Sequence, residues 1–399
     1  MIKGYKYRIY LNKKQTQQVN QMLGNARFIY NWALDRRIKA YQKDKTKLSA
    51  FTLMKEVVNL KKQPEYKWLN LSVAQSLQAS IVNMEKAFTR FFKQKKGFPR
   101  FKSKKRGTHT ISFPQNTKVD FENNKVSVNK IGWIKAKLSR EFEGKIKTAV
   151  ISKTPTNKYF ISITVEQPDK KIKQKPIKEK TTVGIDVGIK TFAYLSDKTK
   201  IENPKHLKSN LQRLKVLQRR ASRKQRGSSN RRKAFLKVAL LHEKISNQRL
   251  DFLHKTTTAI TKQYDTVCVE NLNIAGMVKN HCLAQSIIDL GLGRFYTLLN
   301  YKMGDAGKNY LEVGRFEPSS KLCSKCGNIK KELKLSERMY RCEECGFEIE
   351  RDYNASLNIK KFGLDEQNIK TAGMVGFASG DVGGSRINEG RRISRTLRS

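Results

Sequence analysis

Apolar and polar positions change period along the chain, and each change predicts a different kind of element. Residues 5–11 alternate basic and apolar side chains, the period of a half-buried strand. Asn12 and Gln15 follow at capping-box spacing. Val19, Met22, Leu23, Ala26, Ile29, Tyr30 and Ala33 then form one stripe at helical spacing, which predicts a helix to about residue 41. A shorter helix is predicted over 51–60, ending before Pro64. A third opens at Ser72 with Gln75 and carries Leu77, Ile81, Met84, Phe88 and Phe91 on its inner face. From 108 to 167 the period returns to two. Candidate strands lie at 110–113, 119–121, 125–128, 133–138, 147–153 and 159–166, separated by turn residues such as Asn123, Asn124, Gly132, Gly144 and Asn157. Short strands at this spacing predict a small barrel or a strongly curved sheet. The strand at 5–11 would complete it, with the helical lobe inserted between.

Past a Lys-rich linker at 169–180, a β-branched strand ends on Asp186; a turn at Gly188 leads to a second strand at 192–195. A helical hairpin follows. Its first arm starts near Pro204, Gly227-Ser228-Ser229 breaks it, and its second arm runs over about 231–263. Residues 264–271 are another β-branched run, ending on Glu270. A helix over 285–303 is interrupted by Gly291 and Gly293, and 311–313 resumes a strand. Asp352 stands at the head of a last helix. The stretch 363–399, with seven glycines and one aromatic, is expected to be disordered.

Charge changes this picture more than composition does. Among 399 residues, 83 are Lys or Arg and 34 are Asp or Glu, a net charge of +49. Such an excess repels itself unless a polyanion neutralises it. Nucleic acid is the leading partner, and an anionic membrane surface the second. No apolar run reaches 18 residues, so no membrane span is predicted. The first residues lack the apolar core of a signal peptide. The expectation is a cytoplasmic, nucleoid-associated protein whose cysteines are reduced or metal-bound.

Two basic clusters stand out. Seven of the twelve residues 95–106 are cationic (Lys95, Lys96, Arg100, Lys102, Lys104, Lys105 and Arg106), with Phe98 and Phe101 interleaved. The hairpin elbow carries Arg219, Arg220, Arg223, Lys224, Arg226, Arg231 and Arg232, with no acid between Arg219 and Lys237. An ordinary solvated helix face carries both signs.

Cys323, Cys326, Cys342 and Cys345 form a C-x2-C-x15-C-x2-C array, with Gly327 and Gly346 after the two knuckles. The spacing favours one Zn²⁺ over a redox pair, and four thiolates leave no open position, so the zinc is structural. Cys268 reads as core and Cys282 as an incidental thiol. Asp186 alone could be a turn residue and Asp352 alone an N-cap. Together with Glu270 they are three acids on strand and helix ends. Such a cluster suits two Mg²⁺ ions arranged for phosphodiester hydrolysis.

These motifs, in order, carry a resemblance. They include 6–12 (KYRIYLN), 26–32 (ARFIYNW), 97–101 (GFPRF), 184–188 (GIDVG), 222–228 (SRKQRGS), 251–255 (DFLHK), 269–272 (VENL), 318–321 (PSSK), the four cysteines and 351–355 (RDYNA). The chain resembles the TnpB (OrfB) family of insertion-sequence proteins, relatives of the type V CRISPR effectors. The resemblance implies a multidomain α+β protein. A β-barrel wedge domain (1–11 and 107–168) would carry an inserted helical recognition lobe (12–106). After the 169–180 linker, an RNase H-like (RuvC) nuclease domain (181–317 and 347–362) would be split by a zinc ribbon (318–346), a target nucleic-acid binder. It implies an RNA-guided endonuclease that cuts double-stranded target DNA beside a short flanking motif, using a guide RNA from the transposon end, one protein per RNA, with pairing reading most of the target. Asp186, Glu270 and Asp352 match the family's Asp, Glu, Asp order. Gln78, Gln115 and Asn116 match positions that read the flanking motif. A nuclease-inactive RNA-guided repressor, a DNA transposase and a zinc-ribbon binding protein without chemistry are the alternatives.

Overall fold

The computed structural model describes residues 1–104, 109–168, 172–334 and 336–375, from 368 onward as backbone alone. It divides into two compact units, Met1–Lys171 with Leu214–Glu243, and Ile172–Arg213 with Lys244–Ser399.

In the first unit, β1 (Ile2–Tyr10) leads into α1 (Lys13–Asp44). The capping box forms: Gln15 N donates to Asn12 Oδ1 at 2.8 Å and Asn12 N to Gln15 Oε1 at 3.2 Å. The stripe on α1 divides between two cores. Val19, Met22, Leu23 and Ala26 join the sheet core, whereas Ile29, Tyr30, Ala33 and Leu34 join a helical core. That second core is completed by α2 (Ala50–Leu60) and α3 (Ala74–Gln94), through Leu53, Val57, Leu77, Ile81, Met84 and Phe88. The expected helix start at Ser72 and Gln75 is not a cap. Val73 precedes α3 without a side-chain cap. The Ser72 hydroxyl is buried and accepts from Asn25 Nδ2 at 2.8 Å, so a tertiary partner outcompetes the local one.

The remaining strands of this unit are β2 (His109–Phe113), β3 (Lys118–Asp120), β4 (Lys125–Val128), β5 (Gly132–Lys137), β6 (Lys145–Lys153) and β7 (Tyr159–Glu166). They form one seven-stranded antiparallel sheet in the order β2-β6-β7-β1-β5-β4-β3. The N-terminal strand sits inside the sheet, between β7 and β5, as the pattern at 5–11 predicts. Among the described residues no ladder joins β2 to β3, so hydrogen bonding leaves this sheet open, not a closed barrel. Its alternating apolar residues nonetheless share one core, from Phe113 on β2 to Val119 on β3.

The second unit begins in the expected linker. Lys175 is docked there: its backbone N–H donates to Gly307 O at 2.8 Å and its ammonium pairs with Asp265 at 2.9 Å. Then come β8 (Thr182–Val187), β9 (Thr191–Leu195) and β10 (Lys200–Glu202), the hairpin α4 (His206–Ser222) and α5 (Ser229–Gln263), whose elbow half Leu214–Glu243 belongs to the first unit, and β11 (Thr266–Glu270). Next are α6 (Ile274–Met277), α7 (His281–Leu290), α8 (Leu292–Asp305) and β12 (Asn309–Val313), the cysteine-bearing hairpin β13 (Met339–Arg341) and β14 (Glu348–Glu350), and α9 (Arg351–Val375). The sheet order is β10-β9-β8-β11-β12. β8, β11 and β12 are parallel, and β9 and β10 run antiparallel to their neighbours.

Strand parity sorts the residues of β8 and β11 onto two faces. Val183, Ile185, Val267 and Val269 meet Leu253 and Ile260 of α5 and Phe295, Leu298 and Leu299 of α8. Gly184, Asp186, Cys268 and Glu270 face the other way, toward α9. Two glycines let that helix approach. A Cβ on Gly184 would lie 2.1 Å from Ser356 O and 2.6 Å from Lys360 N, and one on Gly363 would lie 2.4 Å from Cys268 Sγ. Gly363 therefore serves close packing instead of breaking the chain, and α9 runs to Val375, into the stretch expected to be disordered. Residues 376–399 lie outside the described residues. Among the described residues no helix is long and apolar enough to cross a membrane.

Candidate active site and metal centre

Register brings the first two acids together. Ile185 pairs with Val269 across the parallel ladder, so Asp186 and Glu270 are the next residues on adjacent strands and share a face. Asp352 lies in the first turn of α9, one turn before Ser356, whose carbonyl is seated on Gly184. All three acids line one cavity of about 780 Å³. Its walls also carry Lys190, Lys205, Lys208, Lys321, Arg338 and Arg351. Burial holds the Asp186 carboxyl well above the ordinary carboxylate range; the charges of Glu270 and Asp352 push it further, and Arg351 partly opposes them. Glu270 Oε1 accepts from Ser319 Oγ. Asp352 Oδ1 accepts from Arg351 Nε and Nη2 at 3.3 and 3.2 Å. Carboxylate oxygens are the donors a hard divalent cation such as Mg²⁺ takes, but among the described residues these three acids do not form a group as close as the cysteines do.

The cysteines are closer. Among the described residues they are the one group of three or more candidate ligands whose donor atoms all lie within 4.8 Å of one another. Cys323 and Cys345 Sγ are 3.8 Å apart and Cys326 and Cys342 Sγ 3.5 Å. A tetrahedral four-thiolate zinc site with Zn–S bonds of about 2.3 Å has S–S edges of about 3.8 Å, so the residues fit zinc. Gly327 (φ 80°) and Gly346 (φ 67°) turn the knuckles in the left-handed region, and their N–H groups donate to Cys323 O and Cys342 O at 2.9 and 3.2 Å. Backbone N–H groups of Cys345 and Glu344 pull the Cys342 thiol down, while the neighbouring thiols push Cys326 up.

The basic clusters fall elsewhere. At the elbow, Arg219, Arg220, Arg223, Lys224, Arg226 and Arg232 are exposed. Arg231 is different: its Nη1 donates to Ser222 O and Lys224 O at 3.1 and 2.7 Å, closing the C-terminal end of α4. Lys95, Lys96 and Arg100 are exposed beside Phe98. The Lys102 ammonium sits 3.9 Å from the Tyr30 ring centroid, and its backbone is held by Asn31. Lys104 lines a groove of about 1250 Å³ with Arg27, Lys153, Phe28 and Trp68. Lys105 and Arg106 lie outside the described residues. Gln75, on the same face of α3 as Gln78, donates to Gln115 at 3.4 Å, which sets the exposed Gln115–Asn116 turn beside that face.

Most of the residues that support the acids lie inside the family motifs, but the sequence pattern missed their supporting role. Ser319, Arg351, Asn354, Asn358 and Gly184 carry no local signature of such a role. Only the strand parity of Gly184, two residues before Asp186, hints that a helix must come close there.

Comparison with known proteins adds lineage to this geometry. Over its full length the chain is 32% identical to a Streptomyces pristinaespiralis protein named "Putative RNA-guided DNA endonuclease", covering 94% of it. Over 90% of its length it is 31% identical to "Putative RNA-guided DNA endonuclease InsQ" of Escherichia coli (strain K12), covering 91% of that protein. The chain belongs to the TnpB (OrfB) family. Residues 161–281 match the OrfB family description "Probable transposase", residues 1–46 a "Helix-turn-helix domain", and residues 293–359 a "Cas12f1-like, TNB domain". The TnpB-family chain also shares its mixed α/β, multidomain fold with a solved structure entitled "Cryo-EM structure of the Cas12f1-sgRNA-target DNA complex". That match has a TM-score of 0.54 and 18% identity over 88% of this chain and 83% of the other.

Proposed function

We propose that this TnpB-family chain is an RNA-guided DNA endonuclease of an insertion sequence, which cuts double-stranded DNA beside a short flanking motif. The observation that carries the reading is the meeting of Asp186, Glu270 and Asp352, from two adjacent strands and one helix, in one cation-walled cavity. The strand order and the helix on the acid face support an RNase H-like (RuvC) nuclease domain, interrupted between β12 and α9 by a zinc ribbon that meets the target. The net charge of +49, the names of the relatives and the exposed elbow support a guide RNA held with its target by phosphate contacts; one protein is read per RNA from the family resemblance alone. Within the first unit, 1–11 with 107–168 are read as the wedge and 12–106 as the recognition lobe, with Gln78, Gln115 and Asn116 reading adenine edges in the flanking motif.

Two Mg²⁺ ions held by the acids would supply an activated water and a stabilised leaving oxygen. Asp186, Glu270 and Asp352 provide the oxygen donors. Lys190, Lys205 and Lys208 on the wall bind and orient the phosphates that flank the scissile bond. Arg351 pairs with Asp352 and offsets part of the negative charge of the site.

The test begins with the RNA that copurifies with the protein. Its sequence supplies the guide, and a plasmid with the matching target and Mg²⁺ supplies the substrate. Wild type should cut, whereas Asp186→Ala, Glu270→Ala and Asp352→Ala should each fail to cut while retaining the RNA. No cutting by wild type across flanking-motif libraries would sink the nuclease and leave an RNA-guided repressor. Strand joining without RNA would favour a transposase.

A further inference from the structure

We propose that Ser319 is a positioning residue that aims the Glu270 carboxylate and couples it to the folded cysteine ribbon. The proposal rests on reading the acid cavity as a metal-holding site. Ser319 lies in the turn that carries the chain from β12 toward Cys323. It is 7% exposed, and its hydroxyl donates to Glu270 Oε1. A donor on one carboxylate oxygen fixes the rotation of the group and leaves the second oxygen free to ligate.

Ser319 is itself held. Its carbonyl accepts from Asn358 Nδ2 at 2.8 Å, and the same amide reaches Leu322 O at 2.7 Å. Asn354 Nδ2 donates to Leu322 O at 2.7 Å, and Asn354 Oδ1 accepts from Ser324 N at 3.0 Å. Leu322 N closes the turn on Pro318 O at 2.9 Å. Asn354 and Asn358 are buried one turn apart on α9, the helix that carries Asp352. α9 therefore places Asp352 directly and Glu270 through Ser319, and the latch that does so grips both sides of Cys323. A ribbon that loses its zinc loosens Leu322 and Ser324, and with them the orientation of Glu270.

The experiment uses the full chain with its copurified RNA and reads Mn²⁺ binding by electron paramagnetic resonance, independently of cutting. Ser319→Ala should weaken Mn²⁺ binding about 10- to 100-fold, the usual effect of removing a group that orients a metal ligand. Zinc content and RNA should be unchanged. Ser319→Thr, which keeps the hydroxyl, should bind as wild type does. In a Glu270→Gln background, Ser319→Ala should cause no further loss. Normal Mn²⁺ binding by Ser319→Ala, an equal loss in the Glu270→Gln background, or a loss in Ser319→Thr as large as in Ser319→Ala would each overturn the proposal alone. Absence of Mn²⁺ binding in the unsubstituted protein would overturn the metal-site reading, and this proposal with it.

Discussion

In the ribbon, Cys323 and Cys345 stand 3.8 Å apart and Cys326 and Cys342 3.5 Å, close to tetrahedral spacing. In the acid cavity, one oxygen of Glu270 accepts from Ser319, Asp352 pairs with Arg351, and Asp186 is held toward its protonated form. The difference follows from how each set is assembled. The thiolates come from two glycine-turned knuckles, each local in sequence, so the backbone alone sets most of the geometry. The carboxylates come from β8, β11 and α9, far apart in sequence, and meet only because the sheet register and a close helix bring them there. The first site is suited to a permanent, closed ion. The second is poised at an electrostatic cost that cations relieve, which suits a site whose contents change during a reaction.

This contrast can be broken from its strongest side first. Cys323→Ser removes a thiolate from the closed site. Zinc content should fall below one per chain, and the ribbon should become protease-sensitive, because structural zinc contributes about 10–16 kcal/mol to folding such modules. Retention of one zinc per chain, measured by elemental analysis, would mean that the four-cysteine set is not the ligand set.

Gly184→Ala probes how the open site is assembled. The added Cβ would meet the α9 backbone at 2.1 Å, where no flexible side chain can yield. A loss of roughly 3 kcal/mol in urea unfolding is expected, the upper end of ordinary overpacking, together with loss of cutting. A fully stable, fully active Gly184→Ala protein would show that α9 does not set Asp352 through this contact.

Asp186→Asn sharpens the comparison in the opposite direction, since it should stabilise the metal-free protein. Burial raises the folded Asp186 pKa above its unfolded value. Between those two values the folded state binds more protons, so metal-free stability falls as pH rises through that window. In EDTA-treated protein with its zinc retained, Asp186→Asn should melt higher at neutral pH. The advantage should vanish as pH falls below the ordinary carboxyl range, and Mg²⁺ should narrow or reverse it. An Asn variant that melts no higher than wild type in EDTA would mean that Asp186 carries no such penalty.

The smallest effect belongs to the elbow. Replacing exposed Arg223 with Ala should lower the slope of log affinity against log salt by about 0.7–0.9, the contribution of one phosphate contact. Arg231→Ala should change thermal stability more than salt slope, because its guanidinium caps α4. Identical salt slopes for the two variants would erase the distinction.

Legibility in the sequence followed the range of the interaction. The Asn12–Gln15 capping box, the paired cysteines with Gly327 and Gly346, and the β-branched runs ending on Asp186 and Glu270 are each specified within a few residues, and each could be read directly. Ser72 misled because its spacing to Gln75 mimics a cap, while its hydroxyl goes to Asn25, 47 positions away. Gly363 misled because glycine density resembles disorder, whereas the missing Cβ makes room for Cys268. Ser319 lies inside the 318–321 motif, but neither its role nor that of Asn358 could be read. Their partners, Glu270 and the Ser319 carbonyl, lie 49 and 39 positions away, and no periodicity encodes such a pairing.

The division of α1 between two cores has a consequence for cooperativity. The helix has 32 residues and spans about 48 Å. Its first half is packed into the seven-stranded sheet and its second half into the helices that follow. Melting either core strips one end of a continuous hydrogen-bonded rod whose other end is still packed, so partial unfolding is penalised from both sides. Sheet and helices of the first unit should therefore melt in one calorimetric transition, and a break engineered into the middle of α1 should split that transition in two.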